Sequence, residues 1–478
     1  MRVVVGLWVA AMTMVFAVGT HAQGFDVEPF LGEEWYGLYM TGKKIGYSSS
    51  TVSQGDAGRV TVVEDAVFRL NMVGVKQEMR IFSKRTYGID GGLVSIESTV
   101  EDVSGASRFE AYVGAESMTL RSRVGGQETM KTFPKPSETL KDMIKIVDLI
   151  ANNPKVGDSV TFSVFEPMYQ MEIDGRITIL GKEERMFGGV MTEVYRVKSE
   201  MTLMGIESEG FMTADGLMLE DTVAGGVITM RLEPKEVAMD VQYTNDTIVS
   251  NAALVDSPIS KPRTRESLKL RVKGPLTEDV LFNDERQSMS KRVDSYTFEG
   301  KKISLDGYDA ATLPIDEPSV AEWQAASLFV QSDNAKMQER AKSIVGDETN
   351  AAAVSEAICH WVSENMHATF SARLTNSLEV LENMEGDCTE HSMLFIGLAR
   401  AAGLPAREVA GLIYVEGPKP GFYFHQWAKV WIGKWVEVDP TFDQPIADAT
   451  HIKLAEGDLF EQTKILPVIG QLSIEVLE

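Results

Sequence analysis

Cys388 lies in the most chemically pointed stretch of the chain, Met384-Glu385-Gly386-Asp387-Cys388-Thr389-Glu390-His391-Ser392. Asp387 is a good N-cap, an apolar stripe follows at Leu394, Phe395, Leu398 and Ala402, and Gly403-Leu404-Pro405 punctuates the end. The spacing therefore predicts a helix that begins at the cysteine. Unpaired backbone N–H groups and the helix dipole at such a terminus favour thiolate over thiol, which makes Cys388 a candidate nucleophile. A thiol nucleophile needs a base to take its proton and a group that orients the base. His425 and Asp439 are the candidates downstream.

Their placement follows from strand parity. Phe424-His425-Gln426-Trp427-Ala428-Lys429-Val430-Trp431 alternates like a strand, and Trp435-Val436-Glu437-Val438-Asp439-Pro440-Thr441 alternates again after Ile432-Gly433-Lys434. This reads as a hairpin turning at Gly433. A two-residue loop would put His425 and Asp439 on opposite faces. A three-residue loop from Ile432 to Lys434 pairs Trp427 with Asp439 and leaves His425 its diagonal neighbour on one face, roughly 7 Å away between β-carbons. Cooperation between the two side chains thus predicts the odd-length loop.

Two other uses of these residues compete. His391 shares a helix face with Cys388 and is a second candidate base, although Glu390 points elsewhere and supplies it no orienting carboxylate. Cys359-His360 with Cys388 and His391 offers four soft ligands for zinc, at a spacing unusual for such a site. Singly, His425 reads as a core histidine and Asp439 as a turn carboxylate. Their joint occurrence with a helix-terminal cysteine favours the catalytic reading.

Gly386-Asp387-Cys388, the run Leu398-Ala399-Arg400-Ala401-Ala402-Gly403-Leu404-Pro405-Ala406-Arg407, His425-Gln426-Trp427 and Trp435-Val436-Glu437-Val438-Asp439-Pro440-Thr441 together resemble the transglutaminase-like family, a branch of the papain-type thiol enzymes. The resemblance is dense from about Asn376 to Phe442 and thinner back to about Asn334. It implies Cys388 as nucleophile, His425 as base and Asp439 as orienting carboxylate. It leaves the reaction open, because similar domains crosslink proteins, deamidate, deglycosylate, cut peptides or have lost catalysis. Hydrolysis of peptide or amide bonds is the favoured expectation, with transamidation second and a catalytically silent binding module third. Phe422, Tyr423 and Trp427, after the loop Glu416-Gly417-Pro418-Lys419-Pro420-Gly421, are candidate walls for an extended protein or peptide substrate, or else pack a sheet face. No compact acidic loop argues for calcium, and no cofactor is expected.

The elements that must hold this site fill a chain of 478 residues, 44% hydrophobic and 24% charged, which is globular and has room for two or three domains. A formal charge of −24 argues against nucleic acid or anionic lipid as partner. Arg2, the apolar run Val3 to Val18 and then Thr20-His21-Ala22 read as a secretory signal cleaved after Ala22, which leaves no stable membrane span and implies a bacterial periplasmic or secreted protein. The two cysteines, Cys359 and Cys388, are no disulfide framework. Cys359 belongs to a helix predicted from Asn350 to Met366 and reads as a core thiol.

From Glu34 to about Tyr243, strand-like runs separated by Gly-rich turns predict a large antiparallel sheet or open barrel, interrupted by one helix at about Ser137 to Ala151. Its carboxylates read as solvent-face charge. Its methionines, such as Met201, Met212, Met218 and Met230, read as core filling, with an apolar groove as the alternative. The cluster from Asp256 to Arg265 marks a boundary. The expected plan is α+β: signal peptide 1–22, a β-rich domain 25–255, a linker and small β element 256–315, and a papain/transglutaminase-like catalytic domain 316–478 that opens with helices at Ser319 to Gln331 and Asn334 to Val345.

Overall fold

A computed structural model describes residues 31–477 apart from 56–57, 73–74, 103–104, 202–205, 244–246 and 370–374. The expected signal peptide lies outside the described residues. The chain is α+β, with a large antiparallel N-terminal sheet and a C-terminal domain of helices packed on a smaller sheet.

The N-terminal sheet is an antiparallel meander of fourteen strands. Eight come first: β1 (Gly32–Met40), β2 (Lys43–Gln54), β3 (Val60–Met72), β4 (Val75–Tyr87), β5 (Leu93–Asp102), β6 (Gly105–Val113), β7 (Ser117–Val124) and β8 (Gln127–Pro134). Helix α1 (Leu140–Ala151) follows, then β9 (Ser159–Glu166), β10 (Met171–Phe187), β11 (Val190–Met201), β12 (Ile206–Met212), β13 (Met218–Val223) and β14 (Ile228–Leu232). β1 pairs with β14, so β8 and β9 are the two edges. Strand alternation sets the buried face: Tyr36, Leu38 and Met40 point in, as do Val60, Val62, Ala66, Phe68 and Leu70. Leu140, Ile146, Val147 and Ile150 of α1 join this core. The edges curl toward each other, with the Phe133 and Phe165 rings 5.5 Å apart and Lys131 Nζ donating to Gln170 Oε1 at 2.9 Å. Met201, Met212, Met218 and Met230 are buried core residues.

Not all carboxylates of this region face solvent as expected. Buried Arg85 donates twice from Nη1 to Glu138, at 2.9 and 2.8 Å, and Tyr87 and the Phe165 N–H also donate to Glu138. Glu64 and Glu166 lie beside this group, and burial, opposed by Arg85, pushes each up to about 8. Glu64 shares the inward phase of Val60, Val62, Ala66 and Phe68 on β3, and lateral strand pairing brings Arg85 to it.

The chain leaves the large sheet after β14, earlier than the expected boundary, through α2 (Lys235–Met239) and α3 (Thr247–Ser250). β15 (Ala253–Leu254) already belongs to the C-terminal sheet, where it pairs with β22 (Gly421–Trp431). The small β element comprises β16 (Ser267–Lys273), β17 (Gln287–Lys291) and β18 (Tyr296–Lys301), and β25 (Ser473–Val476) returns to complete it beside β16. The predicted Ser319 to Gln331 helix is only a 3-10 segment at Pro318–Gln324. Helices α4 (Ala335–Val345) and α5 (Ala351–Asn365), capped by Asn334 and Asn350, lie close to prediction. They pack with α6 (Ser377–Asn383) around α7 (Cys388–Ala401). α7 lies on β22 and β21 (Ala406–Val415), and β23 (Trp435–Val438) and β24 (His451–Glu456) flank these strands. A short parallel pair, β19 (His367–Ala368) with β20 (Glu385–Gly386), precedes α7.

Candidate active site

Helix α7 begins at Cys388 because a reciprocal cap defines its first turn. Asp387 Oδ1 accepts from the Thr389 N–H at 2.8 Å, and Glu390 Oε2 accepts from the Asp387 N–H at 3.0 Å. Gly386 makes this possible, since a β-carbon there would lie 2.1 Å from Cβ of Glu390. The thiol is half-buried. Ser392, one turn on and fully buried, has its hydroxyl 2.7 Å from the carbonyl oxygen of Cys388 and 3.0 Å from that of Gln426. It ties the start of the helix to β22, the strand that carries His425.

The hairpin has the odd register. Trp431 pairs with Trp435, Val430 with Val436, Lys429 with Glu437 and Ala428 with Val438, across the loop Ile432-Gly433-Lys434. His425 and Asp439 therefore fall on one face, and His425 Nε2 lies 2.8 Å from Asp439 Oδ2. Asp439 closes a tight loop in which its N–H and carbonyl both bond Gln444 at 2.9 Å, while Oδ1 accepts from the Thr441 N–H at 2.9 Å. With Nε2 committed to Asp439, Nδ1 is the ring nitrogen left to act on Cys388, whose charge the ring feels. Burial would lower the His425 pKa, but the charges of Asp439 and then Cys388, with hydrogen bonds to both, hold it at about 9. Burial would likewise raise Asp439, yet the His425 charge and hydrogen bonds from His425 and His451 hold it well below the usual carboxylate range.

Other candidates are placed differently. Phe422 is fully buried against Tyr414, with ring centroids 5.5 Å apart. Trp427 is also fully buried, stacked beneath His425 at 5.9 Å, with its indole donating to Glu437 Oε2 at 2.9 Å. Neither presents surface to a substrate, which corrects their reading as cleft walls: their strand is covered on both faces, so alternation did not expose them. Tyr423 is half-buried and donates its hydroxyl to the Lys419 carbonyl at 2.7 Å. The aromatic that borders His425 with exposed surface is Phe442, 5.5 Å between centroids and 37% exposed. His391 places Nδ1 2.7 Å from the Asp387 carbonyl, and burial lowers its pKa, so it sits neutral beside the site. His360 turns away to Asp443 and Glu356. Cys359 is buried 3.9 Å from the Asp439 carbonyl, and burial and then the Asp439 charge push its thiol far up.

Sequence reasoning missed His451. It is fully buried on β24, with Nε2 2.9 Å from the same Asp439 oxygen and Nδ1 3.3 Å from Asp448 Oδ1. It also missed Arg286, which reaches from the small β element to Glu437 Oε2 at 2.7 Å and to the carbonyls of Asp448 and His451. His451, between Thr450 and Ile452, carried only the weak signal of a polar residue beside apolar ones, and Arg286, between Glu285 and Gln287, carried none. Among the described residues, two groups gather ligand-type side chains within 4.8 Å, His425–Asp439–His451 and Asp284–Glu437–Glu456. The Lys453 ammonium sits among the second group, and the imidazoles of the first already bond one carboxylate oxygen. Hydrogen bonds account for both.

An uncharacterized protein of Haemophilus influenzae is 33% identical over 109 residues, which is 22% of this chain and 29% of that protein. Another, from Mycobacterium leprae, is 28% identical over 101 residues, 20% of this chain and 35% of that one. The chain thus spans about a third of the length of these curated relatives. A solved structure named "Putative Cysteine Protease", from Cytophaga hutchinsonii, aligns with 44% of this chain and 81% of its own at 18% identity and a TM-score of 0.31. Residues 338–440 match the model of the transglutaminase-like superfamily, and this part of the chain is a transglutaminase-like domain.

Proposed function

We propose that the chain is an exported thiol-dependent acyl-transfer enzyme that hydrolyses peptide or carboxamide bonds, with Cys388, His425 and Asp439 as its catalytic residues. The observation that carries the reading is the His425 ring held between Asp439 Oδ2, at 2.8 Å, and a cysteine at a capped helix N-terminus. A ring poised at about 9 is cationic at neutral pH and puts a positive charge beside Cys388. Asp439 fixes the ring orientation.

The thiolate attacks the acyl carbon, a sulfur–carbon bond forms, and the carbonyl π pair moves to oxygen. The Asp387 side chain takes the first-turn N–H groups of Thr389 and Glu390, so the Cys388 N–H at the helix start is the one that would favour that negative charge. The carbon–nitrogen bond then breaks as His425 Nδ1 gives its proton to the leaving amine, which leaves a thioester. Water attacks the thioester and passes a proton back to His425, and the acid departs as the thiolate reforms. Phe442, the exposed aromatic beside His425, and Tyr423, two residues before His425 on β22, would border the acyl chain. The signal-like sequence within residues 1–22 supports export to a bacterial periplasm or beyond, and among the described residues no helix is long and apolar enough to cross a membrane.

The test is iodoacetamide labelling across pH. Wild type should alkylate rapidly at Cys388 at about pH 6, and His425→Ala should label as slowly as an ordinary thiol. Equal rates in both would refute the reading. Incubation with a fluorescent amine and acyl donors separates the fates: hydrolysis without amine incorporation is expected, and predominant incorporation would make the enzyme a transamidase.

A further inference from the structure

Asp439 is shared. Its Oδ2 receives Nε2 of His425 at 2.8 Å and Nε2 of His451 at 2.9 Å, and all three side chains are buried. Behind His451 stands Asp448, whose Oδ1 lies 3.3 Å from Nδ1 and also accepts from the N–H and hydroxyl of Thr450, at 2.7 and 2.6 Å. Asp448 Oδ2 in turn lies 3.1 Å from Arg263 Nη1. Both nitrogens of His451 thus face carboxylate oxygens, an arrangement that suits an imidazolium. The row reads thiol, imidazole, carboxylate, imidazole, carboxylate, guanidinium.

Resting on the thiol-enzyme reading, we propose that His451 is a positioning residue of that site: it anchors Asp439 through the oxygen that orients His425 and takes a share of its negative charge. The consequence is a limit on how strongly Asp439 holds the His425 proton. A carboxylate paired with His425 alone would bind that proton more tightly and delay its delivery to the leaving amine. Burial opposes a charge on His451, but its bonds to Asp439 and Asp448 and their charges raise its pKa above the usual imidazole value. The groups facing this row are Cys388 and neutral His391 from α7, its N-cap Asp387, Cys359 from α5, Asp443 within the loop that Asp439 closes with Gln444, Arg263 beside Asp448, and Arg286, which bonds the His451 carbonyl and Glu437.

The test is His451→Gln, which offers one N–H to Asp439 without the charge. Two readouts are followed in the full-length protein: the pH profile of Cys388 alkylation, and the titration of the His425 ring by NMR with labelled histidine. Removal of the cation should move the His425 ring titration and the upper limb of the profile to higher pH by roughly half a unit or more, about threefold in proton affinity. Curves that superimpose on wild type would overturn the proposal even if the melting temperature falls, because a purely structural histidine moves stability alone. If His451→Gln fails to fold, Asp448→Asn weakens the His451 charge from behind and should shift both readouts in the same direction; no shift overturns the proposal. His425→Ala is the separate control. If it alkylates like wild type, the thiol-enzyme reading fails, whereas an unmoved His425 titration in His451→Gln removes the role of His451 alone.

Discussion

Asn376 joins the two halves of the molecule. Its Oδ1 accepts from the Glu379 N–H at 2.9 Å to cap α6, and its Nδ2 donates to the carbonyl of Val124, at the end of β7, at 2.6 Å. The N-terminal sheet is thereby bonded to the helix that leads into α7. Asn376→Ala should lose both the cap and the bridging bond, a destabilisation of about 2 kcal/mol. Asn376→Asp keeps the cap but turns a carboxylate toward the Val124 carbonyl, and should be nearly as damaging. Urea denaturation followed by limited proteolysis would measure both; an Asp variant as stable as wild type would refute the bridge.

Gly386 has the closest side-chain approach at the site. Gly386→Ala would drive a β-carbon into Glu390 and disturb the cap that sets the first turn of α7. A loss of about 1–3 kcal/mol is expected. Cys388 alkylation at neutral pH should slow with it, because the first helical turn that places the thiol would shift.

Arg286 balances Glu437, and both are buried. Arg286→Met leaves that carboxylate with less compensation, although Lys453 Nζ at 3.1 Å and the Trp427 indole remain. A destabilisation of about 3 kcal/mol, read from the denaturant midpoint, is expected. The double variant with Glu437→Gln should recover part of it.

The two thiols should behave as opposites. Cys359 is buried and its pKa is pushed up, so native protein should take one alkyl group, on Cys388, and a second only after denaturation. Mass spectrometry of labelled peptides decides this. Cys359→Ala should leave the alkylation rate of Cys388 unchanged.

Glu64 and Glu166 hold their protons up to about 8 in the folded sheet, against 4.5 when exposed. Between those values the folded state binds more protons than the unfolded one, so stability is full below about pH 4.5 and falls as pH rises toward 8. Denaturation midpoints of the N-terminal sheet should drop across that window, and Glu64→Gln should flatten the drop.

Local chemistry was legible in the chain. The start of α7 followed from a cap, a glycine and an apolar stripe, all within a few turns, and the face shared by His425 and Asp439 followed from period-two parity across a three-residue loop. Lateral order was not legible. His451 reaches Asp439 only because β24 lies beside β21, which in turn pairs with β22, and Arg286 arrives from a different sheet. Alternation also gave the phase of each strand but not what covers its faces, so Phe422 and Trp427 read as walls and proved to be core, and Glu64 read as solvent charge and proved to be interior. The sequence by itself determined the helix that starts at Cys388 and the hairpin parity, because those depend on bonds between near neighbours. The tertiary structure decided which distant side chains share a buried carboxylate, because that depends on strand order and layer packing, which no short stretch of chain encodes.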